Sequence, residues 1–341
     1  MATTAAASLA PAPLRVFTMG DLLDRPFVPR EHLVFPWLRE GESAFLWAAT
    51  GIGKTMLAVT LALAVAGGGS VLGWRSAKPR RVLYLDGEMH AEDMRDRLRT
   101  LAGTVEGLDL AAARENLRVL SRQQQDDAAE FPDLASPKGQ DAVLSMAREH
   151  GAALLIADNL STLAELADEN DAAAVSPVLS FLLRLKAAGI ATIIVHHSGK
   201  SGASFRGSSK LATTFEVVIG LTKREGHAPH EGAAFGLTWG KFRGAPSRAT
   251  RNMEVRLADS PNGPRWEAAA AEGEAAARLV TAVRSGKHGT QSEVARALGL
   301  SAPTVTRLKQ EAIRKGLISG AEWAEQLRTA REAEGESDPA F

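Results

Sequence analysis

Apolar residues along this chain fall into short runs separated by amphipathic stretches. Runs at 44–48, 81–85, 117–120, 153–157 and 191–195 have the length and content of buried strands. The segments between them, such as 91–101 and 139–150, have the character of amphipathic helices. That alternation predicts an α/β fold with a mainly parallel sheet and helices on both faces. Beyond Gly199 the pattern changes to short strands at 216–221, 234–239 and 253–257, expected to extend the sheet antiparallel.

The same pattern suggests an organisation. Residues 1–14, MATTAAASLAPAPL, read as a disordered Ala/Pro tail without the basic start and long apolar core of a signal peptide. An α/β domain is expected over 15–259, opening with an irregular lead-in that carries Pro26, Pro29, Pro36 and Trp37. Residues 260–273, with Pro261, Gly263 and Pro264, read as a linker. A small all-α module is expected over 274–320, then a final helix and tail over 321–341. No internal repeat is visible.

Composition narrows the classes. A chain of 341 residues with 45% hydrophobic content suggests about two domains with an ample core. The absence of cysteine excludes disulfides, thiolate metal sites and cysteine nucleophiles. The longest apolar run, near 56–65, is too short to span a bilayer, so no membrane partner and a cytoplasmic location are expected. Net charge is zero, yet residues 275–320 hold eight Lys/Arg against two Glu. A basic module on a neutral chain points to nucleic acid.

Residues 45–57 read FLWAATGIGKTML: an apolar strand, a glycine loop, then Lys-Thr opening a helix. Gly51 and Gly53 let backbone N–H groups turn toward a β-phosphate, and the helix N-terminus adds a favourable dipole. Lys54 supplies a charge for the β/γ oxygens, and the Thr55 hydroxyl suits Mg²⁺. The loop Ala48, Ala49, Thr50, Gly51, Ile52, Gly53, Lys54, Thr55 and Met56 is therefore the expected site for ATP or GTP. Its first position departs from the glycine of G-x-x-x-x-G-K-[ST], being Ala48.

Further motifs suit such a site. The run AALLIAD ends in Asp158, a carboxylate for the Mg²⁺ shell opposite Thr55, or else a helix cap. The strand at 81–85 leads to Asp86 and Glu88; Glu88 is the first choice for the base that activates water, and Asp86 the second. The strand at 191–195 runs into His196 and His197. By alternation His197 is preferred as a γ-phosphate sensor. Lys241 and Arg243 share one face at a strand end, either as cations for a neighbouring subunit's site or as a solvated edge.

Taken together these stretches resemble RecA-like ATPases of the hexameric helicase branch, which includes the plasmid replicative helicase RepA and the DnaB helicases. The resemblance covers about 36–257 and rests on AATGIGKT (48–55), YLDGE (84–88), LLIADNLST (154–162), VHHSGK (195–200), RGSSK (206–210) and GKFRG (240–244). It implies Lys54 and Thr55 as P-loop residues, Glu88 as base, Asp158 as the Walker B acid and His197 as sensor. It also implies Lys241 and Arg243 as a pair inserted into the next subunit's site, with Arg206 as rival. Loops at 163–175 and 199–209 would line a channel for single-stranded DNA. The second carries Lys200, Arg206 and four serines, with Lys210 just beyond it; the first is acidic.

In the C-terminal module, a helix from Ser292, a turn at 298–300, and a second helix capped by Ser301 with Pro303 in its first turn form a helix-turn-helix pattern. Thr304, Thr306, Arg307 and Gln310 would reach base edges of a duplex, while Lys309, Arg314 and Lys315 would meet phosphates. A helix expected at 321–333 leaves little room for a wing. The reading that results is an Mg²⁺-dependent ATPase, a homo-oligomer working as a hexameric ring on DNA. Two others stay open: a DNA-bound loader or regulator that does not unwind, and a nucleotide-switched transcriptional regulator.

Overall fold

The computed structural model describes residues 14–126, 128–166, 173–197, 214–224, 232–261 and 263–336. Two units divide between Glu31 and His32. In the first, helix α1 (Met19–Asp24) is closed by a capping box in which Thr18 and Asp21 satisfy each other's backbone N–H. None of its residues is buried.

The second unit opens with a small antiparallel pair, β1 (His32–Val34) and β2 (Leu38–Arg39), then strand β3 (Ser43–Ala48) and helix α2 (Lys54–Gly67). A hairpin, β4 (Gly69–Val71) and β5 (Trp74–Ser76), precedes β6 (Val82–Asp86). Next come α3 (Ala91–Ala102), α4 (Leu110–Asn116), β7 (Leu117–Ser121), α5 (Pro137–His150) and β8 (Leu154–Asp158). The single turn α6 (Leu160–Leu163), α7 (Ser176–Ala187) and β9 (Ala191–His197) follow. Strands β10 (Val217–Lys223), β11 (Ala234–Phe242), β12 (Met253–Ala258) and β13 (Arg265–Ala270) lead to helices α8 (Glu272–Arg284), α9 (Gln291–Leu298), α10 (Ala302–Arg314) and α11 (Gly320–Glu336). No helix among the described residues is long and apolar enough to cross a membrane.

Nine strands form one sheet in the order β13-β12-β11-β10-β3-β9-β8-β6-β7. The last six are mutually parallel, as the alternation of strand and helix predicts. Because side chains alternate across a strand, Leu154 and Ile156 of β8 enter the core beneath α2, while Leu155 and Ala157 enter the core beneath α5 and α7. Helices therefore cover both faces. Helix α2 is buried almost all round, which explains its unbroken apolar sequence.

Three expectations need correction. The run at 216–221 does not begin the antiparallel extension: β10 is parallel to β3, pairing Val217 with Ala44 and Leu221 with Ala48. Its consecutive buried residues fit a strand covered on both faces, and the antiparallel course starts only with β11. The segment 260–273 is not a linker, since β13 pairs with β12 along its whole length. Exposed Arg265 and the Ala run hide this edge strand, but Trp266 packs 5.9 Å from the ring of Phe235 and its indole N–H donates to Thr60 of α2 at 3.0 Å. Only Ala271 separates β13 from α8. Finally, the last helix is not apart from the preceding module, because Trp323 of α11 is buried in one core with Leu279, Val283, Val305 and Leu308.

Beside β3, Gly220 of β10 passes so close to Trp47 that a methyl group there would stand 2.5 Å from the indole ring. Gly220→Ala is expected to destabilise the protein by about 1–3 kcal/mol through overpacking, read as a lower urea midpoint.

Candidate functional site

Parallel pairing brings the carboxyl ends of β3, β9, β8 and β6 to one edge of the sheet, with Ala48 opposite His197 and Asp86 opposite Asp158. The chain leaves β3 through a loop and enters α2 at Gly53, whose φ of 116° is open to glycine alone. No side chain caps this helix, so its first N–H groups face the loop unclaimed by any cap. Uncapped amides at a helix start attract an anion.

Lys54 is 6% exposed, and its ammonium donates to the carbonyls of Ala48 at 3.0 Å and Ala49 at 3.1 Å. Burial lowers its pKa, while Asp158 and Glu88 pull the other way. The ammonium also lies 3.3 Å from Nδ1 of His197, the same distance as the Thr50 hydroxyl. With donors on that side, Nδ1 accepts and the ring proton sits on Nε2, 3.9 Å from Glu88 Oε1. His197 thus bridges the phosphate loop and Glu88. His196 points to the opposite face, buried near Phe45 and 3.4 Å from the Ser161 hydroxyl.

Asp158 is 5% exposed and accepts a 2.7 Å hydrogen bond from the Tyr84 hydroxyl. Burial raises its pKa; hydrogen bonds from Tyr84 and Thr55 act against that. A threonine hydroxyl beside a carboxylate is a hard-oxygen pair that fits Mg²⁺. The neighbouring Asn159 carries a buried Oδ1 with no hydrogen-bond partner, a further acceptor fitting the cation's water shell. Among the described residues no group of three or more His, Asp or Glu could hold a metal.

The two candidate bases differ in surroundings. Asp86 is buried and accepts from the amides of Glu88 at 3.3 Å and Met89 at 3.1 Å and from the Ser121 hydroxyl at 3.3 Å. It shapes the turn that presents Glu88, whose side chain is 53% exposed beside His197. Thr55 and Asp158 would hold the metal, Lys54 and the loop amides the phosphates, and Glu88 the attacking water.

The AAA domain family matches residues 10–203, more than half of the chain. The chain belongs to this family. It is a P-loop ATPase in the general sense of that family. No curated protein matches it. Among solved structures, a KaiC-like protein from the hyperthermophilic archaeon Pyrococcus horikoshii OT3 is 18% identical, covering 69% of this chain and 94% of its own, with a TM-score of 0.49.

Lys241 and Arg243 lie elsewhere. Lys241 pairs with Val218 and Phe242 with Val217, at the start of β10, which is parallel to β3. Five paired residues, about 13 Å at 3.3 Å per residue, separate them from the edge that carries this ATPase's own phosphate loop. Arg243 Nη1 is 3.8 Å from Glu216 Oε1. Burial, then the Arg243 charge, lowers the Lys241 pKa.

Lys200, Arg206 and Lys210 lie outside the described residues, as does much of both expected channel loops. In the C-terminal module, Gly299 closes α9 in a left-handed conformation and Ser301 caps α10. The Thr304 hydroxyl bonds Ser301 at 2.8 Å, and the Thr306 hydroxyl donates to the Ala302 carbonyl and accepts from Gln291 of α9. Arg307 lines a cleft of about 780 Å³ against β12 and β13, with Glu106, Glu254 and Glu267 in the same wall. Gln310 is exposed. Much of the module's positive charge is met internally: Arg314 and Lys315 pair with Glu311, Arg284 pairs with Glu322, and Lys309 lies over the Trp323 ring at 5.2 Å.

Sequence reasoning missed Tyr84, although it is the only tyrosine in the chain and sits in YLDGE. It also missed Glu216 and Lys186, which no local motif marks.

Asp86 supplies a test of burial. Burial raises its pKa above the ordinary carboxylate value, against smaller hydrogen-bond effects, so its ionisation opposes folding. Asp86→Asn keeps an acceptor for the turn amides and is expected to raise the thermal midpoint at neutral pH. The gain should shrink as pH falls through the raised pKa and vanish below the ordinary carboxylate range, as melting curves across pH would record.

Proposed function

We propose that this chain is an Mg²⁺-dependent ATPase that works as a ring with a division of labour: one subunit binds ATP, and Lys241 and Arg243 of the next complete the site. The observation that carries this reading is that Lys241 and Arg243 stand at the opposite end of the parallel strands from the phosphate loop. A cation pair that cannot reach its own phosphate loop suits the loop of a neighbour, where it would stabilise charge developing on the transferred phosphoryl group.

We further propose that hydrolysis drives movement along single-stranded DNA, as in a hexameric replicative helicase of a plasmid, phage or other mobile element. The segment holding Lys200, Arg206 and Lys210 begins immediately after His197, so a residue touching Lys54 is also the root of the expected DNA loop. Movement of His197 on loss of the γ-phosphate would reach that loop directly. The helices α9 and α10, joined by a tight capped turn, have the form of a helix-turn-helix that would meet duplex DNA. Internal pairing of Arg284, Arg314 and Lys315 favours a second reading, a DNA-bound ATPase that loads or regulates partners without unwinding.

Steady-state ATP hydrolysis with and without single-stranded DNA tests the proposal. Stimulation by DNA, together with strand displacement, is the expected result; stimulation without displacement would select the loader. Glu88→Gln is expected to lower kcat by about 10²- to 10⁴-fold with nucleotide binding retained, and Arg243→Ala by about 10³-fold or more. Mixing Lys54→Ala with Arg243→Ala subunits, each inactive alone, should restore turnover at interfaces that join an intact loop to an intact arginine. No recovery in the mixture would refute action between subunits.

A further inference from the structure

At the edge of the sheet opposite the nucleotide loop, one carboxylate gathers three cations. Glu216 directly precedes β10, and its side chain is 10% exposed. Its Oε2 accepts from the Ser43 amide at 2.9 Å and the Ser43 hydroxyl at 3.1 Å, which fixes the carboxylate to the start of β3. Its Oε1 accepts from the Lys186 ammonium at 2.5 Å and faces Arg243 Nη1 at 3.8 Å. Backbone bonds complete the junction: Glu216 N–H donates to the Ser43 carbonyl at 3.0 Å, and Arg243 N–H donates to the Glu216 carbonyl at 3.2 Å. Lys241 lies within the field of the same carboxylate.

The two contacts to Oε1 are unequal. Lys186 is close and its side chain is 37% exposed; Arg243 is farther and 59% exposed. A buried carboxylate stripped of its counter-charge is costly, and a carboxylate that held Arg243 alone would resist releasing it. With Lys186 in place, Arg243 can leave without stranding Glu216.

We propose that Glu216 is a positioning residue that aims Arg243 from the sheet edge, and that Lys186 is the standing counter-ion that lets Arg243 transfer to the γ-phosphate of the neighbouring subunit's nucleotide. The proposal rests on the reading of Lys241 and Arg243 as acting between subunits. Glu216 stays bound to Ser43 throughout, so the guanidinium swings about a fixed anchor. Within this cluster the cations outnumber the carboxylate, which suits a triphosphate approaching from the adjacent copy.

The test is a kinetic cycle on the full chain: kcat and KM for ATP in Glu216→Gln, Lys186→Met and the double variant, with melting curves for each. Glu216→Gln keeps an acceptor for Ser43 and should lower kcat about tenfold or more at unchanged KM, the signature of a misplaced group. Lys186→Met should also lower kcat, because the uncompensated carboxylate now retains Arg243. The double variant should turn over at the rate of Glu216→Gln alone, since Lys186 has no charge left to offset. Losses that multiply in the double variant, or wild-type kcat in both single variants, would overturn the proposal. If Glu216→Gln does not fold, Lys186→Met against the charge-keeping Lys186→Arg decides it: turnover that follows the charge upholds the role, and equal turnover removes it. Arg243→Ala separates the two levels. Wild-type turnover in Arg243→Ala refutes the action between subunits itself, whereas an inactive Arg243→Ala with fully active Glu216→Gln and Lys186→Met leaves that action standing and removes only the positioning role.

Discussion

Parallel pairing of β10, β3, β9, β8 and β6 is the constraint on which the site depends. Parallel strands share a direction, so every carboxyl end meets at one edge and every amino end at the other. Residues from Ala48 to Asp158 and His197, far apart along the chain, arrive together because the strands before them are buried on both faces and cannot turn round. Antiparallel placement of any one of these strands would carry its terminal residue to the wrong edge.

Burial then sets the chemistry. Lys54, Asp86 and Asp158 sit where water is largely excluded, and each is shifted toward its neutral form by that exclusion. The surroundings oppose the shift: carbonyls of Ala48 and Ala49 hold the ammonium, Tyr84 holds Asp158, and turn amides hold Asp86. Low dielectric also strengthens every contact to a phosphate once water has left.

The two edges of the sheet also carry different groups. One edge carries the phosphate loop with His197 and Glu88; the other carries Lys186, Glu216, Lys241 and Arg243. The strands beyond β11 have a different task. Strand β13 touches α2 through Trp266 and Thr60 and runs into α8 across Ala271 alone, so the C-terminal helices are joined to the nucleotide helix without a slack tether.

Much of this was legible in the sequence, because it depends on neighbouring residues. The glycine loop, Lys54 and Thr55 declare themselves through backbone chemistry confined to a few positions, and the core strands through short apolar runs; the run at 44–48 differs from β3 by one residue. Caps such as Ser301 are equally local. The direction of β10 was not legible, since side-chain pattern records burial and not which way a strand runs. Edge strand β13 was hidden because one covered face leaves no continuous apolar run, and its anchor, Thr60, lies 206 positions from Trp266. The same holds for Glu216, which meets Ser43 across 173 positions. By itself the sequence determined the phosphate loop and the α/β core, where the physics is local. Only the tertiary structure decided which edge each charged group occupies and which carboxylate holds which cation, because those depend on strand direction and on burial shared between distant segments.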